Sequence, residues 1–220
     1  MAIKTRKISD WLSANGQAVT NASKATMEDA IRTDIGQLYD GVFIMFHRKS
    51  DDYPLAVRVS SWASYQTGGE IAEGVLLVEG GKHLVIAPTE ASSAKWSSKP
   101  VSSSDTFGSV QISGVTTTSD RIAALNDFAG RANTTAIING SASSNVTNTE
   151  DYAAGFCNRY SRTNANGKGL TAGRWWLPSI GEMAMIWANF DKINYALSKI
   201  NGATQLQTTW YWTSTQLSAT

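Results

Sequence analysis

Cysteine, proline, histidine and net charge are all scarce in this chain, and each scarcity removes a class of chemistry. The one cysteine, Cys157, among 220 residues excludes an internal disulfide and any Cys-x-x-Cys site. A lone thiol without an obvious base beside it is also a poor nucleophile, and Cys157 is expected to face the core of a short helix. The two histidines, His47 and His83, stand apart in sequence with no metal-ligand spacing, His47 marking a strand end and His83 a solvent-edge position after a turn. No G-x-S-x-G elbow and no strand–glycine-loop–helix phosphate cradle occurs. No cofactor and no catalysis are expected.

Charge is balanced, 19 basic against 18 acidic residues, with no basic block, so nucleic acid is not an expected partner. No segment approaches the ~20 apolar residues of a membrane helix, and membrane insertion is not expected. Behind the basic start, Ser9, Asp10, Ser13, Asn15 and Gln17 interrupt any secretory apolar stretch, which points to folding in a cytoplasm.

What is present is a folded chain rich in aromatics, 42% hydrophobic and 17% charged, with eight tryptophans, of which Trp175, Trp176, Trp187, Trp210 and Trp212 come late. Most should pack in the core or at corners, leaving a minority for a binding surface. Residues 1–40 read as a helical segment in which Met27, Ile31, Ile35 and Leu38 recur at spacings of three and four. One apolar stripe needs a partner surface, which its own domain, a coiled bundle or another protein could supply; in a fibre, symmetric self-association would bury it.

Strands are predicted at 42–46, 55–59, 75–78 and 84–87, the last two closed into a hairpin by Gly80-Gly81. Residues 97–119 read as a surface loop, and helices are expected at 120–129, 133–139 and about 149–160. A long apolar face through Met183, Ile186, Trp187, Phe190, Ile193, Leu197 and Ile200 predicts a helix broken near Asn189, with Asp191 capping its second half and Gly202 ending it.

The densest signal is Gly173-Arg174-Trp175-Trp176-Leu177-Pro178-Ser179-Ile180-Gly181-Glu182. Pro178 holds Leu177 extended, and Ser179 and Glu182 have capping-box spacing, so a strand should meet a helix at a sharp corner. Trp210-Tyr211-Trp212-Thr213-Ser214-Thr215 has the composition of a further strand. With Asn126-Asp127-Phe128-Ala129-Gly130-Arg131-Ala132-Asn133-Thr134, Asp151–Cys157 and the hairpin region 74–96, these motifs resemble a family of C-type-lectin-like domains of gut Bacteroidetes and their phages.

The resemblance covers roughly the last two thirds of the chain. It implies an α+β fold: a C-type-lectin-like domain at 41–220, a mixed antiparallel sheet with flanking helices, preceded by the 1–40 attachment or oligomerisation segment. Relatives continue beyond the aromatic strand, so the domain is expected to lack or share its final strands. The oxygen-dependent enzymes among them use paired cysteines, which Cys157 alone does not supply, and the Glu-Pro-Asn and Trp-Asn-Asp motifs of calcium lectins are absent.

The function implied is a non-enzymatic virion protein, a head- or tail-associated phage fibre subunit that attaches to a host-surface glycan or protein. It would assemble with other virion proteins as a homo-oligomer, threefold in the manner of many fibres. A bacterial surface or secreted adhesin is the alternative. Ligand contacts are expected from Tyr211, Thr213, Thr215 and Gln216.

Overall fold

A computed structural model describes residues 39–96, 112–140, 146 and 148–216. The predicted oligomerisation stripe (Met27, Ile31, Ile35 and Leu38) lies outside them. Among the described residues the chain is α+β, built on a four-stranded antiparallel sheet.

β1 (Gly41–His47) and β2 (Pro54–Arg58) pair with Ile44 opposite Val57. A 3-10 turn and α1 (Trp62–Thr67), neither foreseen from the sequence, lead to the hairpin of β3 (Gly74–Glu79) and β4 (Lys82–Ile86). Gly80 and Gly81 take φ of 55° and 75°, the left-handed values that a two-residue turn demands and that side chains resist. β3 docks on the free side of β1, giving the order β2-β1-β3-β4.

Period-two alternation then decides the core. Ile44, Phe46, Leu55, Val57, Val75, Leu77, Leu84 and Ile86 project to one face. There they meet Trp62 and two consecutive helices, α5 (Ile180–Ala188) and α6 (Phe190–Leu197), through Met185, Ile186, Ile193, Ala196 and Leu197. Each fully buried side chain of this kind contributes about 1.5–3 kcal/mol. The opposite face holds a smaller cluster of Phe43, Ala56, Leu76 and Val78.

Between sheet and helices come α2 (Arg121–Leu125), α3 (Gly130–Asn139), α4 (Ala153–Arg159) and a two-residue pairing of β5 (Arg162–Thr163) with β6 (Gly169–Leu170). A second core forms here from Ile112, Val115, Ile137, Val146, Ala153, Ala154 and Leu177. Burial of Ile112 and Val115 corrects the reading of 97–119 as surface loop at the end that is described: two β-branched residues there anchor α3.

The helix break at Asn189 occurs, but Asn189 itself is the boundary residue and Asp191 lies in the first turn of α6. Helix α6 ends at Leu197, earlier than Gly202, whose φ of 75° belongs to a following turn; Ile200 is nevertheless buried.

Both predicted aromatic strands need correction. Neither 173–177 nor 210–215 joins a ladder with a neighbouring strand; their backbones are satisfied one group at a time. The Thr134 hydroxyl accepts from Leu177 N at 3.0 Å and faces Leu177 O at 3.3 Å, while Ser214 N donates to Pro178 O at 2.8 Å. A parallel bridge joins Gln216 to Thr117. The strand-like composition of these segments serves the packing of large rings against helices and loops.

A candidate ligand-binding cleft beside a polar junction

Three of the sequence motifs converge on one buried junction. Ser179 and Glu182 close the capping box at the start of α5, with Ser179 N donating to Glu182 Oε2 at 3.0 Å. The same carboxylate oxygen accepts from Trp176 Nε1 at 3.1 Å, so one group orients both helix and indole. The Ser179 hydroxyl donates to Asp127 O at 2.6 Å.

Asp127 is 6% exposed and saturated: Oδ1 accepts from Ala129 N, and Oδ2 from Asn133 Nδ2 and the Thr215 hydroxyl. Gly130 and Gly181 are required by close approach. A Cβ on Gly130 would run into Glu182 and Trp176, and one on Gly181 into the carbonyls of Asp127 and Leu125.

This junction holds the neighbouring tryptophans in place. Trp176 packs on the sheet core while its neighbour Leu177 packs in the second core, so the corner stitches the two together. Beside it opens a cleft of about 910 Å³. One wall runs from the end of β4 through residues 87–94, and another is formed by Phe156 and Cys157 of α4 and Tyr160 just after it, with Trp175 and Trp176. Met183, Ile186 and Trp187 of α5 and the segment 204–212 complete it.

The rings are held at their edges. Trp175 Nε1 donates to Leu170 O at 2.8 Å, and Tyr160 meets the Trp175 ring edge-on at 5.1 Å. Trp212 Nε1 donates to Ala94 O at 2.9 Å, fastening the last segment to the loop after β4. Trp187 leans on Phe190 but stays 45% exposed, where the helical pattern placed it on the apolar face. Trp210 is 99% exposed.

Polar groups are sparse and placed. The Tyr211 hydroxyl accepts from Gln207 N at 2.9 Å. Burial, and the negative charge of the nearby Glu90 carboxylate, raise the Tyr211 phenol above its ordinary range, only partly offset by the Gln207 amide. Thr89 and Tyr160 share a hydroxyl–hydroxyl bond of 2.7 Å, and Arg174 and His83 also line the space. Glu90 was not weighed in the sequence, where it sits in a run with no periodicity.

The predicted contact residues separate. Tyr211 lines the cleft, half-buried. Thr213 is half-buried, its carbonyl accepting from Trp96 Nε1 at 3.1 Å. Thr215 needs correction: it is 8% exposed inside the junction, donating to Asp127 and accepting from Ile180 N at 2.9 Å. Gln216 is likewise turned to structure, its Oε1 accepting from Ile112 N at 3.0 Å.

Burial pushes the Cys157 thiol up to about 12, so it carries almost no thiolate at neutral pH. Glu182 is consumed by the cap and Trp176. Among the described residues no group of three or more His, Cys, Asp or Glu is arranged to hold a metal ion, and no helix is long and apolar enough to cross a membrane.

His83 is exposed in β4. His47 does more than end β1. Its N and Nδ1 bond Glu73 Oε1 at 2.8 and 2.6 Å, while Leu170 N donates to Glu73 Oε2 at 2.9 Å. Glu73 is fully buried, and desolvation raises its carboxyl above the ordinary range despite these partners. The pair pins the β5–β6 turn to the sheet, and neither residue is part of the cleft lining, although their partner Leu170 is.

Comparison of the chain with protein-family models, with curated proteins and with solved structures found no match.

Proposed function

We propose that this protein is a non-enzymatic recognition subunit: a C-type-lectin-like domain that a phage head or tail fibre presents to a glycan or protein on the host surface. The observation that carries the reading is the fully exposed Trp210 at an aromatic cleft, beside Tyr211 and Trp212. An indole left wholly in water forgoes a large burial gain, which a bound ligand recovers.

The lectin-like assignment draws support from the packing of its motifs. Asp127, Gly130 and Asn133 of one segment, Trp176 to Glu182 of another and Thr215 of the third form a single contact unit. Trp176 and Trp212 border the same cleft, as one recognition face needs.

Adhesion of the full chain to a panel of Bacteroidetes cells tests the reading, with Trp210→Ala as the discriminating variant. Adhesion that depends on Trp210, together with antibody labelling of purified virions, is the expected result. Adhesion untouched by the substitution removes the cleft from the account, and labelling confined to bacterial surfaces removes the virion.

A further inference from the structure

Resting on the reading of the cleft as the recognition site, we propose that its ligand is an uncharged oligosaccharide, one sugar ring lying on the Trp210 face and the next reaching the Glu90–Tyr211 pair.

The argument begins with the shape of the exposed groups. Trp210 offers a flat apolar plate rather than a socket, its surface 99% open. A pyranose has an apolar C–H face to cover such a plate and hydroxyls at its rim, whereas an aliphatic peptide chain needs a pocket to fill. Next to the plate the lining changes character. The Tyr211 hydroxyl already accepts from Gln207 N, the Tyr160 hydroxyl is engaged with Thr89, and the Glu90 carboxylate lines the same space.

These groups retain acceptor capacity, and an apolar ligand laid over them would strand them without water. A ligand dense in hydroxyls satisfies them. A space of about 910 Å³ suits several linked rings better than one.

Charge decides the remaining choice. Glu90 and Glu182 line the same space as Arg174, Glu182 being engaged by Ser179 N and Trp176 Nε1, and among the described residues no further lysine or arginine lines it. A sulfated or phosphorylated chain would find a single cation opposed by a carboxylate. An uncharged one meets no such conflict.

The test uses the full chain and tetrasaccharides of β-1,4-glucose, α-1,4-glucose, β-1,4-N-acetylglucosamine and α-1,6-mannose, with neutral glycans released from adhesion-positive cells. Calorimetry and tryptophan fluorescence are the readouts. At least one neutral oligosaccharide should bind, with an affinity insensitive to salt. Trp210→Ala should weaken it by about tenfold or more and Glu90→Gln by several-fold. Tyr195→Ala, an exposed aromatic on α6 outside the cleft, should leave it unchanged.

The inference is overturned if neither these sugars nor the released glycans bind or block adhesion while Trp210→Ala still abolishes it. The recognition reading then stands with a protein as its ligand. It is overturned equally if only anionic glycans bind, with steep salt dependence, or if Trp210 serves concentration-dependent self-association that Trp210→Ala removes. If adhesion ignores Trp210 altogether, the recognition reading itself has failed.

Discussion

The junction and the cleft share a wall of tryptophan but follow opposite rules. In the junction, Asp127, Asn133, Thr134, Ser179, Glu182 and Thr215 are all below 9% exposed, and each is engaged in hydrogen bonding. In the cleft, indoles face solvent at 40% for Trp212, 45% for Trp187 and 99% for Trp210. One region spends its polar groups internally until nothing is left for a ligand. The other leaves apolar surface uncovered. The capped corner of Ser179 and Glu182 therefore carries the fold, and the proposed recognition face falls to residues such as Trp210 that the fold does not bury.

Substitutions should separate the two. The largest loss is expected from Gly181→Ala, because the added methyl meets the carbonyls of Asp127 and Leu125, and backbone cannot swing aside. Overpacking of this kind costs about 3 kcal/mol, read as a drop in urea midpoint. Asp127→Ala strands Ala129 N, Asn133 Nδ2 and the Thr215 hydroxyl, at about 2–3 kcal/mol in the same assay. A wild-type midpoint for Asp127→Ala would break the comparison at its centre.

Thr215→Val should cost about 1–2 kcal/mol in stability, leaving Ile180 N unpaired. If it instead removed ligand binding without loss of stability, Thr215 would belong to the recognition face. Ser214→Ala is the informative neighbour. Among the described residues the Ser214 hydroxyl is buried with no partner, so its removal should be neutral or stabilising by up to about 1 kcal/mol in thermal unfolding. At the other extreme, Trp210→Ala should shift stability by less than about 0.5 kcal/mol while abolishing adhesion.

Acid and base sharpen the contrast between a buried and a half-buried carboxylate. Folding raises Glu73, so the native state holds its proton more firmly than the unfolded chain does. Its contribution is present in acid and drains as pH rises through the raised value. The stability gap between wild type and Glu73→Gln should shrink as pH climbs from the carboxylate range towards neutrality.

Asp52 behaves oppositely, held below its ordinary range by the Asn166 and Asn164 amides. Its contribution is present above that range and is lost on acidification. The gap to Asp52→Asn, which keeps a residue tolerant of the φ of 58°, should close as pH falls. Urea midpoints measured across pH for both variants check the signs.

Legibility followed locality. The hairpin of β3 and β4, the helix start at Ser179 and the break at Asn189 all depend on neighbours within a few residues, and all were readable. Helix α1 was missed because its six residues are too few for a period, although Trp62 is wholly buried. The aromatic segments were misread as strands because composition reports a taste for flat, half-buried surroundings, which a cleft wall supplies as well as a ladder.

The sequence by itself determined the α+β class, the alternating strands and the capped corner, since each follows from backbone preference and a repeat short enough to read along the chain. Tertiary structure alone decided that Thr215 would be locked against Asp127, that Glu73 would be sealed beneath His47, and that Trp210 would stand exposed at a cleft lined also by Glu90 and Tyr211. Those outcomes depend on partners up to 121 positions apart (Glu90 to Tyr211). Burial and hydrogen-bond satisfaction at such separations are properties of three-dimensional neighbours, for which linear spacing carries no signal.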